Sequence, residues 1–220
     1  MKKILYIALP AVILMSIVDG WIQPGYVTKS IIKISVFLII PFILNFLKGD
    51  GKIADYLKAK DKKSVYISIA LGLGVYGFIM GAYFITSPFI DFTIIKNELL
   101  QELGVSRTNF IFVAIYISFV NSLLEEFFFR GFLFLGLLEK APRKTAYVLS
   151  SLLFAIYHIA VMDSWFNPYL FILAMVSLFT GGLIFNYLNE KNKTILNSWI
   201  VHMMANFAIN HVGLMMFDIV

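Results

Sequence analysis

The chain is a succession of apolar runs, most near the roughly 20 residues that one helical crossing of a bilayer requires, separated by short polar, lysine-rich breaks. Hydrophobic residues make up 60% of the 220 and charged residues 14%, against roughly 45 to 50% and 25% in soluble domains. The runs predict an all-α protein, a polytopic membrane helix bundle of about seven transmembrane helices, at about 3 to 22, 28 to 47, 64 to 86, 108 to 138, 144 to 162, 167 to 188 and 195 to 217. Residues 1–220 read as a single integral membrane domain. The fourth run is long enough to tilt, to extend beyond the lipid or to break near Gly131 or Gly136.

Basic residues set the expected orientation. Thirteen fall on one side (Lys2, Lys3, Lys48, Lys52, Lys58, Lys60, Lys62, Lys63, Lys140, Arg143, Lys144, Lys191 and Lys193) and three on the other (Lys29, Lys96 and Arg107). That bias puts the N-terminus in the cytoplasm and the carboxyl terminus outside. The net charge of +5 is thus a topology signal, and no soluble surface is expected that would present it to nucleic acid. Without cysteine, disulfides and thiol chemistry are excluded. Residues 1–22 have the outline of a signal peptide but no A-x-A site, and are expected to be the first span.

Several segments are read as carrying little chemistry. The 48–63 stretch is expected to be a solvated connector meeting anionic lipid, with a candidate interfacial helix from about Ile53 to Lys60. The 87–107 stretch, with Pro88, Asp91, Glu98 and Glu102, reads as a plain connector ahead of an outer substrate lip. Gly72, Gly74, Gly181 and Gly182 are expected at close helix contacts. Asp19 and Lys33, near span ends, are expected to snorkel. His211 is expected near water, with no role, and the nine Met and 22 Phe to face lipid or core.

Inside the fourth run lie Glu125, Glu126 and Arg130. Each charge at bilayer depth costs roughly 2.5 to 3.5 kcal/mol on insertion scales, so all three call for partners and a task. Glu126 and Arg130, four apart on a helix, are expected to pair. Glu125 points about 100 degrees away, and lacking that partner it is expected to be free to exchange a proton. His158 in the fifth run and His202 with Asn206 in the last supply further polar groups, and Asn210 continues the Asn206 stripe. At about 1.5 Å per residue, Glu125, His158, His202 and Asn206 lie at comparable depth. Such a layer suits attack of an activated water on an amide. Glu125, with His158 beside it, is the expected general base, and His202 and Asn206 the expected oxyanion stabilisers.

These residues resemble the motifs of the CPBP intramembrane proteases, the CAAX-protease and bacteriocin-processing family also called Abi. Its Glu-Glu-x-x-x-Arg, Phe-x-x-x-His and His-x-x-x-Asn occur here in order, as Glu125, Glu126 and Arg130, then Phe154 and His158, then His202 and Asn206. The resemblance covers about 100 residues and implies a membrane endopeptidase whose catalytic core lies in about 108–217. It implies catalytic roles for Glu125, His158, His202 and Asn206 and supporting ones for Glu126 and Arg130. No cofactor is expected; the alternative is zinc held by Glu125, His158 and His202, although the helix motif H-E-x-x-H is absent. The expected partners are a membrane-embedded or membrane-associated peptide substrate and the lipid bilayer, with no nucleic acid. The short length and Lys, Ile and Phe bias point to a bacterial plasma membrane, and to a leader, bacteriocin or signalling peptide ahead of CAAX-type prenylated substrates. Two other readings are a non-enzymatic bacteriocin self-immunity or scaffold protein on the same fold, which would not need Glu125, and a proton-coupled transporter, which commonly shows repeats not evident here.

Overall fold

The computed structural model describes residues 1–46, 57–101, 104–162 and 168–220, and every regular element among them is helical. Eight helices follow in order: α1 Lys2–Ile22, α2 Tyr26–Ile43, α3 Lys62–Thr86, α4 Thr93–Gln101, α5 Phe110–Leu138, α6 Arg143–Met162, α7 Pro168–Glu190 and α8 Leu196–Met216. Six of them, all but α4 and α8, are long and apolar enough to cross a membrane. Helix α8 is also long, 21 residues or about 30 Å, but it carries Asn197, Ser198, His202, Asn206, Asn210 and His211, whose side chains are turned to the bundle's own uses. This is a multi-pass membrane protein.

Exposure runs opposite to that of a soluble protein. Arg130 and Glu126 are fully buried while Phe78 and Phe112 are 76% and 75% exposed, as expected where hydrocarbon is the outer solvent. Lipid gives little hydrophobic drive to helix pairing, so close packing and polar contacts hold the helices together. Between α1, α2, α5 and α6 an aromatic core forms: Phe37 stacks on Phe128 with ring centroids 4.3 Å apart, and Phe129 meets Phe154 edge-on at 5.3 Å. Between α6 and α7, Asn186 donates to Ser151 Oγ at 3.2 Å, and Ser150 Oγ donates to the Phe129 carbonyl of α5 at 2.9 Å.

Of the four glycines expected at close contacts, two are. A Cβ on Gly182 would lie 2.9 Å from Ser151 Cβ and 3.0 Å from its Cα, and one on Gly72 would lie 2.8 Å from Met204 Cγ, whereas Gly74 and Gly181 have nothing within 4 Å. Sequence adjacency hides this difference because neighbouring residues on a helix face different ways. Gly182→Ala is therefore expected to lower stability by about 1–3 kcal/mol, since backbone must move. Gly181→Ala should be neutral or slightly stabilising. Thermal unfolding of both variants in detergent checks the contrast.

Helix α5 is continuous through Gly131 and Gly136, so it does not break there. It departs instead into π-helical geometry at Tyr116–Asn121 and Glu126–Leu135, on either side of Ser122–Glu125. Such wide turns are frequent at functional sites.

The 87–107 connector contains helix α4, started by Asp91, which accepts from the Thr93 N–H at 2.9 Å and from its hydroxyl. These two donors hold the Asp91 carboxyl below the usual carboxylate range. Leu99 packs with Val105, Phe110 and Phe217, so α4 caps the end of α8. Apolar residues within a polar stretch explain the helix. Glu102 lies outside the described residues, as do 53–56 of the candidate interfacial helix; Lys58–Lys60 is not helical.

Candidate active site

The two adjacent carboxylates diverge as helical geometry requires, Glu125 toward α2 and Glu126 toward α8. Glu126 has both oxygens occupied. Its Oε1 lies 3.1 Å from Arg130 Nη1 and 2.9 Å from His202 Nδ1, and its Oε2 accepts from Ser198 Oγ. Asn189 on α7 in turn donates to Ser198 Oγ at 2.5 Å. The Arg130 guanidinium is held between two rings, 3.9 Å from the centroid of Phe154 and 4.8 Å from that of Phe185. Cation–π attraction there replaces hydration that the buried cation has lost.

Glu125 is not without a cation. Its Oε1 accepts from Lys33 Nζ at 2.6 Å and from Asn121 Nδ2 at 2.9 Å, and Lys33 also donates to Asn121 Oδ1 at 2.5 Å. Lys33 therefore does not snorkel; it is 6% exposed. The register of two helices explains the difference. Tyr26, the first residue of α2, packs edge-on against Tyr116, six residues into α5. Counted from that contact, Lys33 is seven residues on and Glu125 nine, about 10 Å and 14 Å along the axes, a gap the lysine stem spans. Asp19 does not snorkel either: it is buried, with Lys29 Nζ 3.1 Å from its Oδ1.

His158 stands where the regular helix of α6 ends at Tyr157. Its backbone N–H turns to the Ala155 carbonyl at 3.1 Å, which leaves the Phe154 carbonyl to the imidazole Nδ1 at 2.7 Å. A carbonyl only accepts, so Nδ1 carries the proton and Nε2 is the free nitrogen. In His202, Nδ1 is engaged by Glu126, and the ring stacks on Phe185 with centroids 5.4 Å apart. Its Nε2 is again the free nitrogen. Both free nitrogens face one atom, Glu125 Oε2, at 3.8 Å from His158 and 3.7 Å from His202.

Glu125, His158 and His202 are thus brought together, with Glu126 and Arg130 behind them. Asn206 lies one turn beyond His202 and donates to the Ile117 carbonyl at 3.2 Å; among the described residues no hydrogen bond joins it to Glu125 or either histidine. Asn210 donates to the Ala114 carbonyl at 3.2 Å and to Ser118 Oγ at 3.0 Å, and His211 Nδ1 meets the Tyr76 hydroxyl at 2.5 Å. Reading the sequence missed Lys33, Asn121, Ser198, Asn189 and Phe185. Two carried a usable signal: Asn121 precedes Glu125 by four residues and Ser198 precedes His202 by four, the spacing that shares a helix face.

Among the described residues no group of three His, Asp or Glu side chains is arranged to hold a metal ion. Of the expected zinc ligands Glu125, His158 and His202, the carboxylate already has the Lys33 ammonium on its Oε1 at 2.6 Å, and a nearby positive charge disfavours a second cation there.

A family model described as type II CAAX prenyl endopeptidase Rce1-like matches residues 107–208, the segment that holds Glu125 through Asn206. Over that segment the resemblance to the CPBP and CAAX proteases holds. No curated protein and no solved structure matches the chain.

Proposed function

We propose, from the kinship of residues 107–208 with the CAAX-type endopeptidases, that this protein is an intramembrane peptide hydrolase in which Glu125 Oε2 activates water. The observation that carries the reading is the convergence of three acceptors. Glu125 Oε2 and the two free imidazole nitrogens lie 3.7 and 3.8 Å apart across the site. Those distances are too long for direct hydrogen bonds and suit a bridging molecule that brings its own hydrogens. Water does so: one O–H points to Oε2 and the other to an imidazole Nε2.

As the water oxygen bonds to the scissile carbonyl carbon, Oε2 takes its proton. When the C–N bond breaks, the same proton passes to the leaving amine nitrogen. With its Nδ1 committed to Glu126, His202 turns an acceptor to the water and not a donor to the oxyanion, the role expected from the sequence; it and His158 orient the water, each steadied through its Nδ1. Asn206 carries two amide N–H bonds, of which Ile117 takes one, and the second serves the oxyanion. Glu126 and Arg130 hold His202 in place. No step uses a metal, a version supported by the cation already seated on Glu125.

The substrate class that fits is a peptide within or at a bacterial plasma membrane, a leader or bacteriocin-type precursor ahead of a prenylated CAAX protein. The test is cleavage, by the protein in lipid nanodiscs, of internally quenched peptides with and without an S-prenylated cysteine. The wild type should cleave at least one, His202→Ala should lower kcat by about 10²-fold, and a chelator should leave the rate unchanged. Absence of cleavage across the panel argues against a hydrolase. Activity lost to the chelator and restored by zinc reverses the metal-free reading.

A further inference from the structure

We propose that Lys33, together with Asn121, is a positioning residue for hydrolysis, committing one oxygen of Glu125 so that the other serves as the base. The inference rests on the hydrolase reading above and extends it to a residue on α2, outside the segment that the family model matches.

A carboxylate has two equivalent oxygens, and a flexible side chain can present either. Around Glu125 they are made unequal: Oε1 accepts from Lys33 at 2.6 Å and Asn121 at 2.9 Å, while Oε2 accepts no hydrogen bond among the described residues and faces the imidazole nitrogens at 3.7 and 3.8 Å. The neighbouring carboxylate shows what a purely structural role looks like here, because Glu126 has both oxygens engaged.

Lys33 is itself pinned. Asn121 Oδ1 takes a second of its three N–H bonds at 2.5 Å, and the Tyr157 ring lies 4.9 Å from Nζ. Lys33, Asn121 and Glu125 close a triangle of hydrogen bonds that restrains the carboxylate from rotating. A base held in the productive geometry does not spend the reaction's free energy on ordering itself.

Steady-state cleavage of the most readily cut peptide of the panel by Lys33→Met, Lys33→Arg and Asn121→Ala gives the first readout. Expected are a fall in kcat of about 10²-fold for Lys33→Met and about tenfold for Asn121→Ala, with KM within about twofold in both, and partial recovery in Lys33→Arg. A kcat within about threefold of wild type in Lys33→Met, or a rise in KM at unchanged kcat, overturns the proposal. Should Lys33→Met fail to fold, Asn121→Ala decides by the same criteria, since it leaves the charge in place.

The second readout needs no turnover. The separation between the antisymmetric and symmetric carboxylate stretches reports unequal bonding of the two oxygens. In infrared difference spectra against Glu125→Gln, the Glu125 bands should shift in Asn121→Ala. Unchanged bands overturn the assignment even if no peptide is cut, so that failure of the hydrolase reading and failure of this one are told apart.

Discussion

Glu125→Gln is expected to lower kcat by about 10²- to 10⁴-fold, the contribution of a positioned general base, with KM little changed. The substitution keeps the side chain's size and leaves an amide oxygen for Lys33, so the loss isolates the base. It removes the counter-charge of a buried ammonium, and stability should fall too, by less than the roughly 3–5 kcal/mol that follows outright removal of one buried partner. Glu125→Asp should keep the charge but withdraw the carboxylate by one methylene, giving an intermediate rate. Steady-state kinetics and thermal unfolding in the same nanodiscs separate the two effects. A Gln variant within tenfold of wild type would mean that Glu125 is not the base.

Arg130→Ala is expected to have the largest effect on stability. The guanidinium is fully buried, sandwiched between Phe154 and Phe185 and 3.1 Å from Glu126. Removing it leaves a buried carboxylate without its cation, at about 3–5 kcal/mol, and takes away two cation–π contacts. For a protein of this size that is a drop in Tm on the order of 10 °C or more. Arg130→Lys should recover little, because a compact ammonium cannot lie flat between two rings as the planar guanidinium does. Activity should fall in both variants, since Glu126 is what steadies His202 Nδ1. A Tm for Arg130→Ala within about 2 °C of wild type would show that the sandwich is not what holds Glu126.

Much of this arrangement is legible in the sequence because two regularities carry it. Length and apolarity place the spans, and four-residue spacing places Arg130 beside Glu126 and Asn206 one turn from His202. The second regularity also relates Asn121 to Glu125 and Ser198 to His202. Lys33 departs from its expected place for a different reason. Its distance from the end of α2 suggests a side chain that reaches water, yet α2 starts at the level of Tyr116, below the start of α5 at Phe110. Helix α4 was hidden for a similar reason, since Leu99 and Val105 read as loop residues until Phe217 is brought against them.

What the chain's letters settle unaided is local and periodic: a bundle of membrane-length helices, with carboxylates, imidazoles and amides at set turns along three of them. What they leave open is which turn of one helix stands opposite which turn of another. Helix start depths, π-helical stretches in α5 and the early end of the regular helix in α6 decide that, and with it that Lys33 takes Glu125 Oε1 while both histidines face Oε2. The physical reason is that a helix's own hydrogen bonds fix rise and rotation within it, whereas depth and offset between helices come from side-chain packing across interfaces that no single stretch of sequence contains.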